Sequence, residues 1–291
     1  MSLTIRPAGQ EDRARILEIS SRIWEGDDYV HLVLDEWIAD PTGEVVVACW
    51  QDRPIAFSFR NMYVPGVSWL QGIRTDPDCR GRGAGRAITE HFIEASRRDG
   101  ARRIGLSTYI DNEASIHIIE SYGFVRVAEY VYLETTDKTD FADSEASVDS
   151  ISDDEARAFV EASASSRASA GNIPWIWKMF SIEEAWPAIA ERVPYWRGVR
   201  RSQRLESLVG ISPGDDQEDA AFVSFLEGRT EDLVGLLRRA QMDLRPPRFE
   251  FMIPNDGTTE APVLDLLRAS GCTSWSDFKP DVFHYELQLD G

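Results

Sequence analysis

Apolar positions in the first half of the chain gather into short runs broken by polar turns. Leu3–Arg6 reads as a strand, whereas Glu11–Trp24 places Ile16, Leu17, Ile19 and Ile23 at helical spacing. A second helix, Tyr29–Ala39, ends before Pro41. Strands are expected at Glu44–Trp50, Ile55–Val64 and Val67–Arg74. Gln51-Asp52-Arg53-Pro54 joins the first two and Pro65-Gly66 the last two, which makes an antiparallel meander. A helix at Ala87–Arg98, a strand at Arg103–Tyr109, a helix at Asn112–Ser121 and a strand at Phe124–Glu134 complete this half.

The pattern then changes. Between Asp137 and Glu155 stand eight acids, Asp137, Asp140, Asp143, Glu145, Asp149, Asp153, Asp154 and Glu155, against Lys138 alone. So charged a stretch reads as a linker, dividing the chain into domains at 1–136 and 156–291 with the acidic segment 137–155 between them. Beyond it, Ala156–Arg192 reads as helical and carries Trp175, Trp177 and Trp186. Strands at Leu205–Ile211 and Ala221–Leu226 follow, then a helix at Glu231–Gln241, a strand at Arg248–Ile253, a helix at Pro262–Ser270 and strands at Thr273–Phe278 and Val282–Leu289. The run Leu266-Leu267-Arg268-Ala269-Ser270-Gly271-Cys272 parallels Ile118-Ile119-Glu120-Ser121-Tyr122-Gly123-Phe124, each between a strand–helix unit and a closing strand, so the second half reads as a degenerate repeat of the first.

Length agrees with two domains, since 291 residues exceed what one small α/β core needs. No apolar stretch approaches the roughly 20 residues that cross a bilayer, and Ser2–Pro7 is not expected to be a signal peptide. Cys49, Cys79 and Cys272 are widely scattered, with neither metal-site spacing nor a disulfide framework, so no metal and a reducing, cytoplasmic setting are expected. The formal charge of −19, from 50 acids against 31 bases, repels nucleic acids and anionic membranes and attracts cationic amines. A monomer or homodimer is expected.

The most informative motif is Arg80-Gly81-Arg82-Gly83-Ala84-Gly85, at the hand-over from the strand Val67–Arg74 to a helix. Glycines let bare N–H groups approach an anion, and the helix adds its unpaired N-terminal donors. No Gly-Lys-Ser/Thr follows, which argues against an NTPase loop, and the dinucleotide fingerprint lacks its third glycine and later acid. With Asp76-Pro77 ahead of it, and with Asn112, Ser115, Ile118 and Gly123-Phe124 downstream in register, the chain resembles the GNAT superfamily of acetyl-CoA-dependent N-acetyltransferases.

That resemblance implies an α/β (α+β) fold built on a mixed, mainly antiparallel sheet flanked by helices, with a second, degenerate GNAT-like domain. It implies acetyl-CoA as co-substrate, its pyrophosphate on Arg80, Gly81, Arg82, Gly83, Ala84 and Gly85, its acyl carbonyl near the backbone of Ile73, Arg74 and Thr75, and its pantetheine arm beside Asn112 and Ser115. Where the second half should repeat the loop stand Glu227-Gly228-Arg229-Thr230-Glu231-Asp232, whose carboxylates would repel a pyrophosphate; that half is expected to shape the substrate pocket or stabilise the first.

The catalytic groups are less complete. Family members often carry a Glu base on the strand before the loop, where this chain has Gln71, and a Tyr acid seven residues after the Asn, where it has Ile119. The acceptor side is expected at Glu25, Asp27, Asp28, Tyr29, His31 and Glu36, with His117 added, and the catalytic candidates are Asp28, Tyr29, Glu36 and His117. Asp28 is equally placed to cap the second helix, while Glu36 and His117 suit solvated helix faces. Gly26-Asp27-Asp28-Tyr29, with Trp37 later, resembles the histidine N-acetyltransferase-like branch, which implies an amino-acid acceptor meeting Asp28 and Tyr29. The function expected is acetyl transfer to the primary amine of a small molecule, an amino acid or related metabolite. The alternative, motivated by Gln71 and Ile119, is a catalytically weak acyl-CoA-binding sensor or interaction module.

Overall fold

The computed structural model describes residues 3–143, 145–213, 220–255 and 261–289. The first half runs β1 (Leu3–Pro7), α1 (Arg13–Ser20), α2 (Val30–Ala39), β2 (Gly43–Trp50), β3 (Arg53–Val64), β4 (Val67–Thr75), α3 (Ala84–Arg98), β5 (Arg103–Tyr109), α4 (Glu113–Ser121) and β6 (Val125–Glu134). The second runs β7 (Val148–Ser150), α5 (Asp153–Ala162), α6 (Ala164–Ala168), β8 (Asn172–Trp175), β9 (Lys178–Ser181), α7 (Ile182–Arg192), β10 (Tyr195–Arg201), β11 (Arg204–Ser212), β12 (Ala221–Glu227), α8 (Thr230–Leu244), β13 (Phe249–Pro254), α9 (Ala261–Ala269), β14 (Thr273–Ser274) and β15 (Val282–Gln288). Among these, no helix is long and apolar enough to cross a membrane.

The chain folds as two units. The described residues 3–106, 112–125 and 285–289 form one, and residues 107–111 and 126–284 the other. This division departs from the expected domains 1–136 and 156–291 at two places. The C-terminal residues join the first unit, where Leu289 N–H donates to Arg102 O at 2.8 Å and Tyr285 Oη donates to Glu120 at 2.9 Å. The acidic segment 137–155 joins the second, because Phe141 is buried in that unit's core and β7 pairs with β10 from Val148↔Val199 to Ser150↔Arg197.

In the first unit the strands lie in the order β1-β2-β3-β4-β5, antiparallel except for the parallel pair β4–β5. Alternation along β3 sets what each face meets. Phe57 and Phe59 pack with Ile16 and Ile19 of α1 and Val30, Leu34 and Trp37 of α2. Arg60, on the opposite phase, reaches Asp99 at the end of α3 (2.5 Å) and Glu44 (3.7 Å). Ser96 of α3 donates to Ser68 of β4 at 2.8 Å, which seats that helix on the other side of the sheet.

The second unit repeats this order. Its sheet runs β6-β13-β12-β11-β10-β7, with β12 and β13 parallel and α8 between them in sequence, as α3 lies between β4 and β5. Ala156–Arg192, expected as helix throughout, is instead α5, α6, the hairpin β8–β9 and α7. Gly171 at φ +74° and Pro174 interrupt the helical run. Strand β10 carried no clear alternation in its Arg-rich sequence, and the expected strand Thr273–Phe278 stops at Ser274 because Asp277 and Phe278 take left-handed φ of +54° and +61°.

Candidate active site

β4 changes character along its length. Val67–Leu70 are buried, and Val67, Ser68 and Trp69 pair in parallel with Arg103, Ile104 and Gly105. From Gln71 to Thr75 the strand is half-buried and pairs with β3 only, so its other edge is left with open backbone groups among the described residues. A bulge sits at this transition, where the β3–β4 register shifts between Phe57 and Phe59 and Gly72 adopts φ +68°. Trp37 fills the place a side chain would take there: a Cβ on Gly72 would lie 2.4 Å from Trp37 Cη2. The same indole stacks on Phe59 at 4.9 Å and 10°.

The turn after β4 is built on Asp76, which accepts from the N–H of Asp78 at 3.0 Å and is held by Arg15 and by Arg22 at 2.7 Å. Burial pushes its carboxyl up, but Arg15, the Asp78 amide and Arg22 together bring it below the usual range. Beyond it, Gly81 and Gly83 take φ of +77° and +81°, and a Cβ at either would meet nothing within 4 Å. The bend is exposed and open. Gly83 caps α3 without a side chain, and the helix's first internal bond runs from Ala87 N–H to Gly83 O at 3.0 Å, leaving the N–H groups of Ala84, Gly85 and Arg86 without helical partners. No acid stands in that first turn. Gly85 has a packing reason as well, since its Cβ would approach Ile118 of α4 to 3.1 Å.

Three arginines surround the bend. Arg80 is exposed, Arg82 lies over the Trp50 ring at 5.2 Å, and Arg86 donates to Ser121 at 2.9 Å. Asn112 caps α4, accepting from Ser115 N–H at 3.4 Å. Ile119, at the position where a tyrosine acid was sought, is buried in the core, and the Tyr122 hydroxyl donates instead to Arg86 O at 3.3 Å.

Residues 13–124 match the acetyltransferase (GNAT) family over the whole of this stretch, from α1 through the glycine bend to the end of α4. They are a GNAT domain. A mycothiol acetyltransferase of Geodermatophilus obscurus is 30% identical over 112 residues, 36% of this chain and 35% of that protein. The chain thus spans about a third of the length of the mycothiol acetyltransferases it matches. An aminoglycoside N(6′)-acetyltransferase of Stenotrophomonas maltophilia is 27% identical over 44% of this chain and 90% of its own. In fold, a GCN5-related N-acetyltransferase of Sphaerobacter thermophilus aligns over 99% of this chain and 96% of its own at a TM-score of 0.65 and 13% identity. One of Kribbella flavida aligns over 99% and 72% at 0.52 and 15%.

On the other side of β4 in the GNAT domain, the segment before α2 turns inward. Asp28 is 1% exposed and accepts from Arg74 Nε at 3.0 Å, Arg74 Nη2 at 2.9 Å and Ser20 Oγ at 2.8 Å. It neither caps α2 nor faces open space. Arg74 in turn has Trp24 at 4.3 Å and Tyr29 at 5.6 Å from its guanidinium carbon and donates Nη1 to Ile73 O at 3.0 Å. Asp28 and Arg74, expected as catalytic and coenzyme-contacting residues respectively, are therefore partners of each other. Tyr29 is 41% exposed, and its ring edges onto Trp37 at 6.1 Å. Gln71 Nε2 donates to the Tyr63 hydroxyl at 3.3 Å, and burial raises that phenol.

Glu36 on α2 and His117 on α4 are exposed and hydrogen-bond to no described residue, as solvated faces do. Trp24, Tyr63 and Gly72 were not singled out from sequence. A glycine inside a strand run is a bulge signal and could have marked Gly72; nothing local marks Tyr63.

In the second unit the corresponding corner is filled from within. Gly228 at φ +147° leaves no room, since a Cβ would lie 2.3 Å from Ser207 Oγ. Asp232, in the first turn of α8, accepts from Arg201 at 2.7 and 2.8 Å and from Ser207 at 2.6 Å. Arg201 holds its carboxyl below the usual range, against burial and with help from Ser207.

Proposed function

We propose that the GNAT domain transfers acetyl from acetyl-CoA to the primary amine of a small molecule. The observation that carries this reading is the open left-handed bend at Gly81 and Gly83, which leads without a side-chain cap into α3. Its residues fit a diphosphate: the unpartnered N–H groups at 84–86 supply donors, the first turn holds no acid, and Arg80 and Arg82 add charge. Each such charge-assisted bond is worth roughly 1.5–3 kcal/mol, so several suffice without a metal.

The open edge of residues 71–75 supplies the other need, main-chain donors for the carbonyl oxygen on which negative charge develops. The amine lone pair forms the C–N bond, the C–S bond breaks, and the electron pair leaves on sulfur while the amine proton passes to solvent or to the departing thiolate. A thiol of pKa about 8.5 leaves at a cost of about 2 kcal/mol at pH 7, so the absence of a tyrosine at Ile119 slows this step without preventing it. No carboxylate on β4 takes the amine's proton, since Gln71 stands there bonded to Tyr63.

The relatives named for mycothiol and aminoglycosides support a small-molecule acceptor. An amino-acid acceptor held by Asp28 loses its support, because that carboxylate faces Arg74. The second unit reads as a GNAT-like repeat without a coenzyme site, its anion corner occupied by Asp232. Thiol release from acetyl-CoA across a panel of amines tests the transferase. Tight coenzyme binding with no turnover on any amine favours instead an acyl-CoA sensor, the reading that Ile119 and Gln71 support.

A further inference from the structure

Cations in the GNAT domain are sorted by their partners. Every arginine from residue 3 to residue 75 is engaged by a carboxylate: Arg6 by Asp12, Arg13 by Asp35, Arg15 by Asp76 and Glu18, Arg22 by Asp76 and Asp78, Arg53 by Glu18, Arg60 by Asp99 and Glu44, and Arg74 by Asp28. No lysine occurs in that stretch. Arg80, Arg82 and Arg86, at the glycine bend, pair with no carboxylate among the described residues. Among the described residues up to position 86, the guanidiniums without a carboxylate partner thus stand only at the bend where the coenzyme's diphosphate is placed.

The acceptor side has the opposite inventory. Arg74, the one guanidinium on the half-buried end of β4, uses Nε and Nη2 on Asp28 and Nη1 on Ile73 O. Trp24 and Tyr29 cover it, and of the exposed carboxylates at residues 24–36, Asp35 is paired with Arg13 whereas Glu25, Asp27 and Glu36 have no ion-pair partner among the described residues. His31 is the remaining basic group, and its Nδ1 is 2.8 Å from Asp28 O. A substrate carboxylate entering here would lose water, gain no cation and meet exposed carboxylates, whereas an ammonium on ring faces is stabilised.

We infer that the acceptor is a cationic amine that carries no carboxylate, which excludes free amino acids. This rests on the transferase reading for the location of the acceptor, and the test separates the two. Ligand pairs that differ by a carboxylate, cadaverine with lysine and histamine with histidine, are compared on the full chain by thiol release and, with coenzyme A bound, by calorimetric titration. The carboxylate-free member is expected to be at least tenfold better in kcat/KM and in Kd. In Asp28→Asn, assayed well below its melting midpoint, Arg74 is released and the histamine-to-histidine ratio is expected to fall at least threefold. Equal or better use of lysine and histidine by the wild-type protein overturns the inference and leaves the transferase standing. The binding preference without thiol release from any amine does the reverse.

Discussion

Arg74 closes on Asp28 through two hydrogen bonds, at 3.0 and 2.9 Å, across 46 positions of sequence, and the carboxylate it grips has no exposed side-chain surface. The pair ties the segment that precedes α2 to the last residues of β4, and within that segment Trp24 at φ +46° and Glu25 at φ +59° form a turn that neither residue favours.

Breaking this pair from one side leaves a buried charge alone. Asp28→Asn and Arg74→Gln are each expected to destabilise the fold by about 3 kcal/mol, a fall of roughly 6–12 °C in melting temperature. The double variant is expected to recover more than half of that loss. Thermal melts of the four proteins check it, and additive losses would show that the two side chains do not interact.

Gly72→Ala meets Trp37 and a left-handed backbone at once, with the indole 2.4 Å from the new Cβ at φ +68°. Strain of about 1–2 kcal/mol and overpacking of about 1–3 kcal/mol are expected to add. Trp37→Ala should relieve the second contribution in the double variant, which urea titrations of both proteins would read.

Gly83→Glu places a carboxylate at an open position, so the fold is expected to hold with a loss of only about 1–2 kcal/mol for the positive φ. Affinity for coenzyme A is expected to fall at least tenfold, the equivalent of one lost charge-assisted bond. Unchanged affinity in a calorimetric titration would remove the bend from the coenzyme site.

Acid stability should depend on Asp232. Arg201 and Ser207 hold its carboxyl below the ordinary value, so its contribution is complete above a pH of about 3.9 and disappears as pH falls through the lower folded value. Arg201→Gln is expected to move the acid-unfolding midpoint upward, with a smaller loss of stability at pH 7 than breaking a fully buried pair would bring, because Arg201 is 34% exposed. Circular dichroism against pH reads both.

With Gln71 in place of a carboxylate on β4, the rate follows the neutral fraction of the amine. For an amine of pKa about 10.4, kcat/KM is expected to climb about tenfold per pH unit between pH 7 and 9. A plateau beginning near neutrality would reveal a base on this protein.

Much of this was legible along the chain. The glycine bend, the helix after it and the strand before it are local features: a left-handed turn asks for glycine, a helix start leaves free donors, and both are written in neighbouring residues. Gln71 and Ile119 were legible only through the resemblance, as positions where family members carry a base and an acid. The helical reading of Ala156–Arg192 failed because burial of Ile173, Met179 and Phe180 in a hairpin outweighed local propensity.

What sequence by itself determined was therefore the backbone chemistry of the glycine bend and the order of strands and helices around it. Only the tertiary structure decided that Asp28 faces Arg74 rather than a substrate, that Trp37 occupies the space over Gly72, and that the last residues complete the first unit. Each of these is a pairing between distant positions, and which charges and surfaces cancel one another is settled only when the folded chain brings them together.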